Sequence, residues 1–179
     1  EHAARIGAGV EGVQRAVTQA IEQARRRGSG PDAGRAGSDA ALVVGERVAF
    51  WAVLAEDTDR ETTVEIAPGP LRVALPAADL AACVDALLGN VFAHTPDGTA
   101  FTVRLTPLPG GGARLVVADA GPGIPAGSAA LRRGASGGGS TGLGLDIARR
   151  SADQAGGRLT LGTSAQGGLE VVVDLGPER

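Results

Sequence analysis

The sequence predicts a mixed α/β domain, and three observations predict it. Apolar residues recur at helical spacing in two long segments, residues 40–57 and 76–94. Beyond residue 100, short runs rich in valine and leucine alternate with glycine-rich turns, which is typical of strands. One helical segment interrupts these strands. Because the chain has three phenylalanines, one tryptophan and no tyrosine, its core must consist mostly of leucine, valine, isoleucine and alanine.

The first 27 residues predict a separate helix that precedes this domain. Their apolar residues recur at intervals of four and three, the heptad spacing of a helix that packs against other helices. The members of this seam are Ile6, Val10, Val13, Val17, Ala20, Ile21 and Ala24. Residues 28–39, GSGPDAGRAGSD, have the composition of a linker. We therefore expect a helical module at 1–27, a linker at 28–39 and a domain at 40–179.

The first part of the domain predicts two helices around a pair of short strands. Residues 40–57 form the first helix, and the segments 62–67 and 71–75 read as strands that pair around Pro68-Gly69-Pro70. The segment 76–94 predicts a second helix with proline at its start. Its apolar stripe consists of Leu80, Val84, Leu87, Leu88 and Val91.

The second part of the domain predicts four strands and one helix. Residues 101–108 and 113–120 read as strands joined by a glycine-rich turn. A helix is expected at 142–155. The segments 158–163 and 169–175 then predict a closing hairpin.

Composition and charge exclude several classes of protein. The formal net charge of −3 and basic residues that are all arginine do not indicate a nucleic-acid surface. No segment approaches the unbroken run of about 18–20 apolar residues that a membrane helix needs, and the first residues lack a signal-peptide pattern. A single cysteine, Cys83, suits a reducing compartment. Because the chain starts at Glu1, we expect a processed chain or a piece of a longer protein, and the lone thiol favours a cytoplasmic location.

Three segments contain residues that could carry chemistry, and the first is the end of the helix 76–94. Asn90 and His94 lie four residues apart and project from the same side of that helix. An asparagine oxygen is a suitable ligand for a Mg²⁺ ion that arrives with phosphates and keeps several waters. The plainer alternative is that Asn90 forms a local hydrogen bond and His94 interacts with the end of the helix.

The second segment follows the strand 113–120, where Asp119 precedes Gly121 and Gly123. A carboxylate at a strand end can accept a hydrogen bond from the exocyclic amine of adenine, whereas guanine presents an oxygen there. Glycines beside it would let a flat ring approach the backbone. An ordinary Asp-Gly turn is the alternative interpretation.

The third segment is GASGGGSTGLGLDIARR, residues 134–150. Backbone N–H groups at a helix start near Gly142, with the Ser140 and Thr141 hydroxyls nearby, could hold phosphate oxygens. Neighbouring arginines would add positive charge. A surface loop is the alternative for this segment alone.

In this order, the segments LLGNVFAHT, DAGPGIP and STGLGLDIARR resemble the asparagine box and two glycine boxes of sensor histidine kinases. Their ATP-binding domain belongs to the GHKL superfamily, with topoisomerase ATPases, ninety-kilodalton heat-shock chaperones and mismatch-repair ATPases. The resemblance covers residues 40–179. It implies a two-layer α/β sandwich with a mixed sheet covered by helices on one face. Residues 1–27 resemble the second helix of the dimerisation and phosphotransfer module.

The resemblance also implies roles for individual residues toward ATP and Mg²⁺. Asn90 would bind the metal, and both Asn90 and His94 would serve catalysis and phosphate binding. Asp119 would bind the adenine amine. The remaining residues assigned to ATP are Gly121, Gly123 and Ile124 beside the base, and Gly139, Ser140, Thr141, Gly142, Leu143, Gly144 and Leu145 in the lid and triphosphate site. Within residues 134–150, GASGGGS would be a movable lid and TGLGLDIARR would be a fixed helix start.

One departure from the superfamily pattern separates kinases from ATPases. Members that hydrolyse ATP carry a glutamate four residues before the asparagine, and this chain has Ala86 there. Asp85 is turned about 140° around the helix axis from Asn90 and cannot replace it. A histidine acceptor needs no base for water, because imidazole is itself the nucleophile. Ala86 therefore favours the kinase branch over an ATPase.

Other departures concern the acceptor and the lid. The family's acceptor histidine precedes an acidic residue, an arginine and a proline, and His2 has no such context. We expect the acceptor on an upstream helix outside this sequence, and a response regulator as the next partner. The family's aromatic box is absent from residues 126–136, and its threonine near the last hairpin is replaced around Gly168-Leu169. A degenerate module that binds nucleotide without phosphotransfer is thus the second hypothesis.

Overall fold

The computed structural model of the chain describes residues 37–123 and 142–178, with side chains of the third helix from Gly144 onward. The predicted heptad helix lies outside these residues. The elements in chain order are β1 (Ser38–Asp39), α1 (Ala40–Asp57), β2 (Thr62–Ile66), β3 (Arg72–Val73), α2 (Ala77–His94), β4 (Phe101–Pro107), β5 (Ala113–Asp119), α3 (Gly142–Gln154), β6 (Arg158–Thr163) and β7 (Leu169–Leu175).

Five strands form one mixed sheet in the order β2-β4-β5-β7-β6. The β2–β4 pair is parallel and the other pairs are antiparallel. Val103, Val117 and Val171 are register partners across three strands, and all three are buried. Because side chains alternate along a strand, this register places one apolar row after another on a single face.

The three helices cover that apolar face. Leu80, Val84, Leu87, Leu88 and Val91 of α2 are buried, so the predicted stripe is the core-facing stripe. The other face carries exposed ion pairs between register partners, Arg104 with Glu65 and Arg114 with Asp174. The predicted two-layer α/β sandwich, with a mixed sheet covered by helices on one face, is confirmed.

The predicted pairing of the two short strands is wrong. β2 pairs in parallel with β4, and β3 pairs with β1 in a separate two-stranded sheet. Pro68 and Pro70 lack the N–H groups that a hairpin ladder would use. Val73 of β3 is fully buried, and this burial holds the segment under α1 instead of beside β2.

The structure places the last residues of the predicted linker inside the domain. The Asp39 carboxylate caps α1 by accepting the N–H of Ala41 at 3.0 Å, and it also accepts the N–H of Leu71 at 3.1 Å. The Ser38 hydroxyl donates to the Leu75 carbonyl at 2.7 Å. The domain therefore includes Ser38 and Asp39, while residues 1–36 lie outside the described residues.

Helix α2 is the central helix of the layer. Among the described residues it is the one helix whose length and mean hydropathy would suffice to cross a membrane. Its apolar side chains instead pack on β5, α1 and α3. Its composition is that of a core helix.

Candidate functional site

Asp119, the last residue of β5, carries a buried carboxylate, one oxygen of which accepts no hydrogen bond from the described residues. The residue is only 5% exposed to solvent. Oδ1 accepts the backbone N–H of Gly121 at 2.8 Å and of Leu169 at 3.2 Å. Among residues 37–123 and 142–178, no donor contacts Oδ2. Since buried polar atoms are normally satisfied, this oxygen is the strongest candidate for a ligand contact.

The glycines after Asp119 fit the chain against its neighbours. A Cβ on Gly121 would lie 2.5 Å from Cγ2 of Thr95. Gly123 has a φ of +70°, which side chains rarely adopt, and a Cβ there would lie 3.0 Å from the Gly167 carbonyl oxygen. Contacts within the protein, together with the positive φ of Gly123, thus require glycine at both positions.

The β6–β7 hairpin forms another wall around Asp119. The Ser164 hydroxyl donates to the Asp119 carbonyl at 2.6 Å and accepts the N–H of Gly168 at 3.0 Å. A side chain at Gly168 would overlap the Asp119 carboxylate and carbonyl. From the same hairpin, the backbone N–H of Leu169 donates to Asp119 Oδ1.

Asn90 packs directly against the first turn of α3. A Cβ at Gly144 would lie 2.5 Å from Oδ1 and 2.8 Å from Nδ2 of Asn90. The half-buried amide therefore occupies the space that this glycine leaves open. The structure brings the asparagine of one predicted motif into contact with the glycine of another.

His94 is the last residue of α2 and is exposed. Partial desolvation lowers the pKa of its imidazole below 6.5, so the ring is neutral near pH 7. A neutral imidazole can both donate and accept one hydrogen bond.

No carboxylate on α2 is free to activate water beside Asn90. Asp85 accepts hydrogen bonds from Arg47 Nε and Trp51 Nε1, both at 2.8 Å. Ala86, at the position of the ATPase glutamate, is buried.

The described members of the predicted site form two groups of contacts. Asp119 contacts the β6–β7 hairpin and Gly121 lies against Thr95, while Asn90 contacts Gly144. Leu145 is buried in the core. α3 is described from Gly142 onward and includes Leu143. The other residues predicted to bind ATP lie outside the described residues: Ile124, Gly139, Ser140 and Thr141.

Arg60, Thr95 and Ser164 support the site but were not assigned a role from the sequence. Thr95 belongs to the segment LLGNVFAHT, so its position next to His94 was the available signal. Arg60 and Ser164 stand in turns without a motif. Their contacts depend on the three-dimensional arrangement.

Two comparisons with known proteins give matches. The sequence pattern of the family described as "Histidine kinase-, DNA gyrase B-, and HSP90-like ATPase" matches residues 76–179, more than half of the chain. The chain belongs to this family. Its fold is that of an ATP-binding histidine kinase catalytic domain. A comparison with curated proteins gives no match.

Solved structures of sensor histidine kinases share the fold. The mycobacterial sensor histidine kinase MprB is 25% identical with a TM-score of 0.61, over 79% of this chain and 99% of that one. The cytoplasmic segment of histidine kinase QseC is 19% identical with a TM-score of 0.62, over 95% of each chain. The ATP-binding domain of PrrB from Mycobacterium tuberculosis is 21% identical with a TM-score of 0.62, over 81% and 98%.

Proposed function

We propose that this chain is the ATP-binding catalytic domain of a bacterial sensor histidine kinase. The observation that carries the proposal is the buried Asp119 carboxylate, whose Oδ2 has no donor among the described residues. Because Oδ1 is held by two backbone N–H groups, the orientation of the carboxylate, and so of Oδ2, is fixed. Oδ2 would accept a hydrogen bond from the exocyclic amine of adenine and would disfavour guanine, which presents an acceptor at that position.

Asn90 is proposed to bind the Mg²⁺ of Mg-ATP. Its amide lies against Gly144 in the first turn of α3, where N–H groups without helical partners favour phosphate oxygens. Such a Mg²⁺ ion needs few protein ligands, since phosphates and waters supply the rest. The neutral His94, one helical turn after Asn90, would contact phosphate.

The reaction we propose is transfer of the γ-phosphoryl group to a histidine on an upstream helix. The imidazole of that histidine attacks phosphorus, and ADP leaves. Such transfer depends on positioning and charge neutralisation, which bound Mg²⁺ supplies. The full protein would relay the phosphoryl group to a response regulator from the cytoplasmic side, and any membrane attachment would lie in segments beyond this sequence. Alone, the chain would bind ATP without autophosphorylation.

An ATPase role would need a base for water. The described carboxylate nearest in sequence to Asn90 on α2, Asp85, is held by Arg47 and Trp51. The buried Ala86 offers no replacement. These contacts favour a histidine acceptor over water.

One assay separates the kinase, the degenerate binding module and the ATPase. The purified chain is mixed with γ-labelled Mg-ATP and a separately supplied helix pair that carries an acceptor histidine from a related sensor kinase. Label on the histidine supports the kinase. ATP binding without transfer favours the degenerate module, and steady release of phosphate favours the ATPase.

The Asp119→Asn variant tests the base contact. It replaces the carboxylate by an amide, so we expect ATP affinity to fall by about 1.5–3 kcal/mol, the scale of a hydrogen bond to a charged group. Asp174→Asn is the matched control, because Asp174 lies on the opposite face of the sheet and pairs with Arg114. Calorimetry on both variants gives the comparison. Equal affinity of Asp119→Asn and the unsubstituted chain would remove Asp119 from the base pocket.

A further inference from the structure

Arg60 is a buried cation at the back of the proposed base pocket. Its side chain is only 1% exposed. It lies between α1 and β2, where Asp59, with a φ of +52°, turns the chain sharply. Burying a guanidinium is costly unless its donors are satisfied, so the contacts of Arg60 show what this position requires.

The donors of Arg60 reach the turn after α1 and the loop between α2 and β4. Nη1 donates to the Thr95 hydroxyl at 2.7 Å and Nη2 donates to the Thr95 carbonyl at 3.0 Å. Nε donates to the Thr58 hydroxyl at 3.2 Å, and Nη1 also reaches the Thr99 carbonyl at 3.4 Å. The guanidinium carbon lies 4.7 Å from the centre of the Phe92 ring, in cation–π geometry.

Nearly all the groups that contact the Arg60 guanidinium are uncharged. Asp97, the carboxylate that pairs with Arg60, is 3.6 Å away and its side chain is 73% exposed, so this ion pair is weak. Desolvation lowers the pKa of Arg60, while the negative charges of Asp97 and Asp119 act in the opposite direction. The cation therefore lies within the electrostatic reach of the carboxylate that is proposed to read adenine.

Two paths lead from Arg60 to Asp119 through contacts. In the first, Thr95 presents Cγ2 to Gly121, at the place where a Cβ would come within 2.5 Å, and Gly121 N–H holds Asp119 Oδ1. In the second, Thr99 leads to Ala100, whose carbonyl accepts the N–H of Ala120 at 3.0 Å. Both paths end on the residues that flank the carboxylate.

We infer that Arg60 is a positioning residue for the base pocket: through Thr95 it fixes Gly121 and thereby the direction of the Asp119 carboxylate. This inference rests on the proposed function of Asp119 as the adenine contact. Only arginine combines a planar set of five donors with stacking on an aromatic ring. A lysine at this position would satisfy fewer of these oxygens.

The test compares Arg60→Met with Arg47→Met. Arg47 is a matched control, because it also pairs with a carboxylate, Asp85, and lies over an aromatic ring, Phe50. Within the part of the chain that the structure describes, neither partner belongs to the proposed base pocket. The first readout is the backbone amide resonance of Gly121 in the nucleotide-free protein. The second is the dissociation constant for Mg-ADP, measured at a temperature where both variants are folded.

We expect Arg60→Met to shift the Gly121 resonance and to raise the dissociation constant for Mg-ADP about tenfold. In Arg47→Met, the Gly121 resonance should stay in place and the dissociation constant should remain within twofold of that of the unsubstituted chain. Thr95→Val removes the hydroxyl that Arg60 binds and keeps a similar shape. If Arg60 acts through Thr95, the losses in Arg60→Met/Thr95→Val should be smaller than the product of the two single losses. Should Arg60→Met fail to fold, Arg60→Lys and Thr95→Val give the same comparison.

The outcomes separate this inference from the proposed function. An unchanged Gly121 resonance in folded Arg60→Met, or an unchanged Mg-ADP affinity beside a shifted resonance, would overturn the inference. Absence of adenine nucleotide binding by the unsubstituted chain would instead refute the proposed function, and the Gly121 resonance would still decide whether Arg60 positions this loop.

Discussion

Single glycines hold the candidate site open for its own side chains. Gly144 leaves room for the Asn90 amide, and Gly121 leaves room for the Thr95 methyl group. Gly168 does the same for Asp119. At this scale, a substitution by alanine displaces a neighbour instead of removing a contact.

Gly144→Ala should weaken Mg-nucleotide binding by about tenfold or more, because its Cβ would displace the Asn90 amide (tenfold corresponds to about 1.4 kcal/mol). Titration calorimetry with Mg-ATP measures the change. Gly45→Ala is the control, since a Cβ there meets Ile66 only at 3.9 Å inside α1. That control should keep its affinity and gain about 0.5–1 kcal/mol of stability. Equal binding by both variants would contradict the contact between Asn90 and Gly144.

His94 should make stability depend on pH near neutrality. Its pKa is lowered in the folded state by desolvation, so the unfolded state binds the proton more tightly. The free energy of unfolding should therefore be greatest above pH 6.5 and fall as the pH drops below it. Urea titrations between about pH 7.5 and 5.5 should show a flatter profile for His94→Gln. A steeper or unchanged profile in that variant would show that His94 is not the cause.

At the scale of elements, the contact between α2 and α3 determines the site geometry. Asn90 and Gly144 lie at one end of this contact. Further along, Gln154 Nε2 donates to Asp79 Oδ2 at 3.0 Å. Between them, the buried Cys83 of α2 lies near Ser151 of α3, whose side chain acts to lower the pKa of the thiol. A change that separates the two helices should disturb the proposed metal ligand.

Cys83 should report that separation. It is fully buried, and burial raises the pKa of its thiol to about 12. The thiolate is the reactive form, so the native protein should not react with a thiol reagent at about pH 8, while the urea-unfolded chain should react at once. Saturating Mg-ADP should slow any residual reaction. Fast stoichiometric labelling of the native protein would contradict tight packing of α2 on α3.

At the scale of the whole molecule, the domain begins before α1. β1 and β3 close the layer beneath the first helix, and Asp39 joins α1 to the segment that precedes β3. The two-stranded sheet is small, but it fixes the entry of the chain into the sandwich. The residue at which a fragment of this domain begins should therefore affect its free energy of unfolding.

A fragment that begins at Ala40 should be less stable than one that begins at Gly37. It lacks the Asp39 cap and the Ser38 hydrogen bond, each worth about 1 kcal/mol. Urea unfolding followed by the fluorescence of Trp51, the sole tryptophan, measures the difference. Asp39→Ala in the longer fragment isolates the cap. Equal urea midpoints for the two fragments would show that Ser38 and Asp39 do not stabilise the domain and belong to the linker.

Local pattern was enough to predict most elements and the family. The helices α1 and α2, both strands of the closing hairpin and the end of α3 were predicted within one or two residues. Their periodicity is set by which face is buried, and this information is local. Motif order likewise predicted the family through Asn90, Asp119 and Gly142.

Only the tertiary structure decided strand partners and the supporting contacts of the site. β2 pairs with β4 across the intervening helix α2. Pro68 and Pro70 argue locally against a hairpin with β3, but no local signal identifies β4 as the partner. Arg60 meets Thr95 across 35 residues and Ser164 meets Asp119 across 45. Sequence alone thus determined the elements, the family and the candidate ligands. Packing decided which residues hold those ligands in place, because such contacts join segments that are distant in the chain.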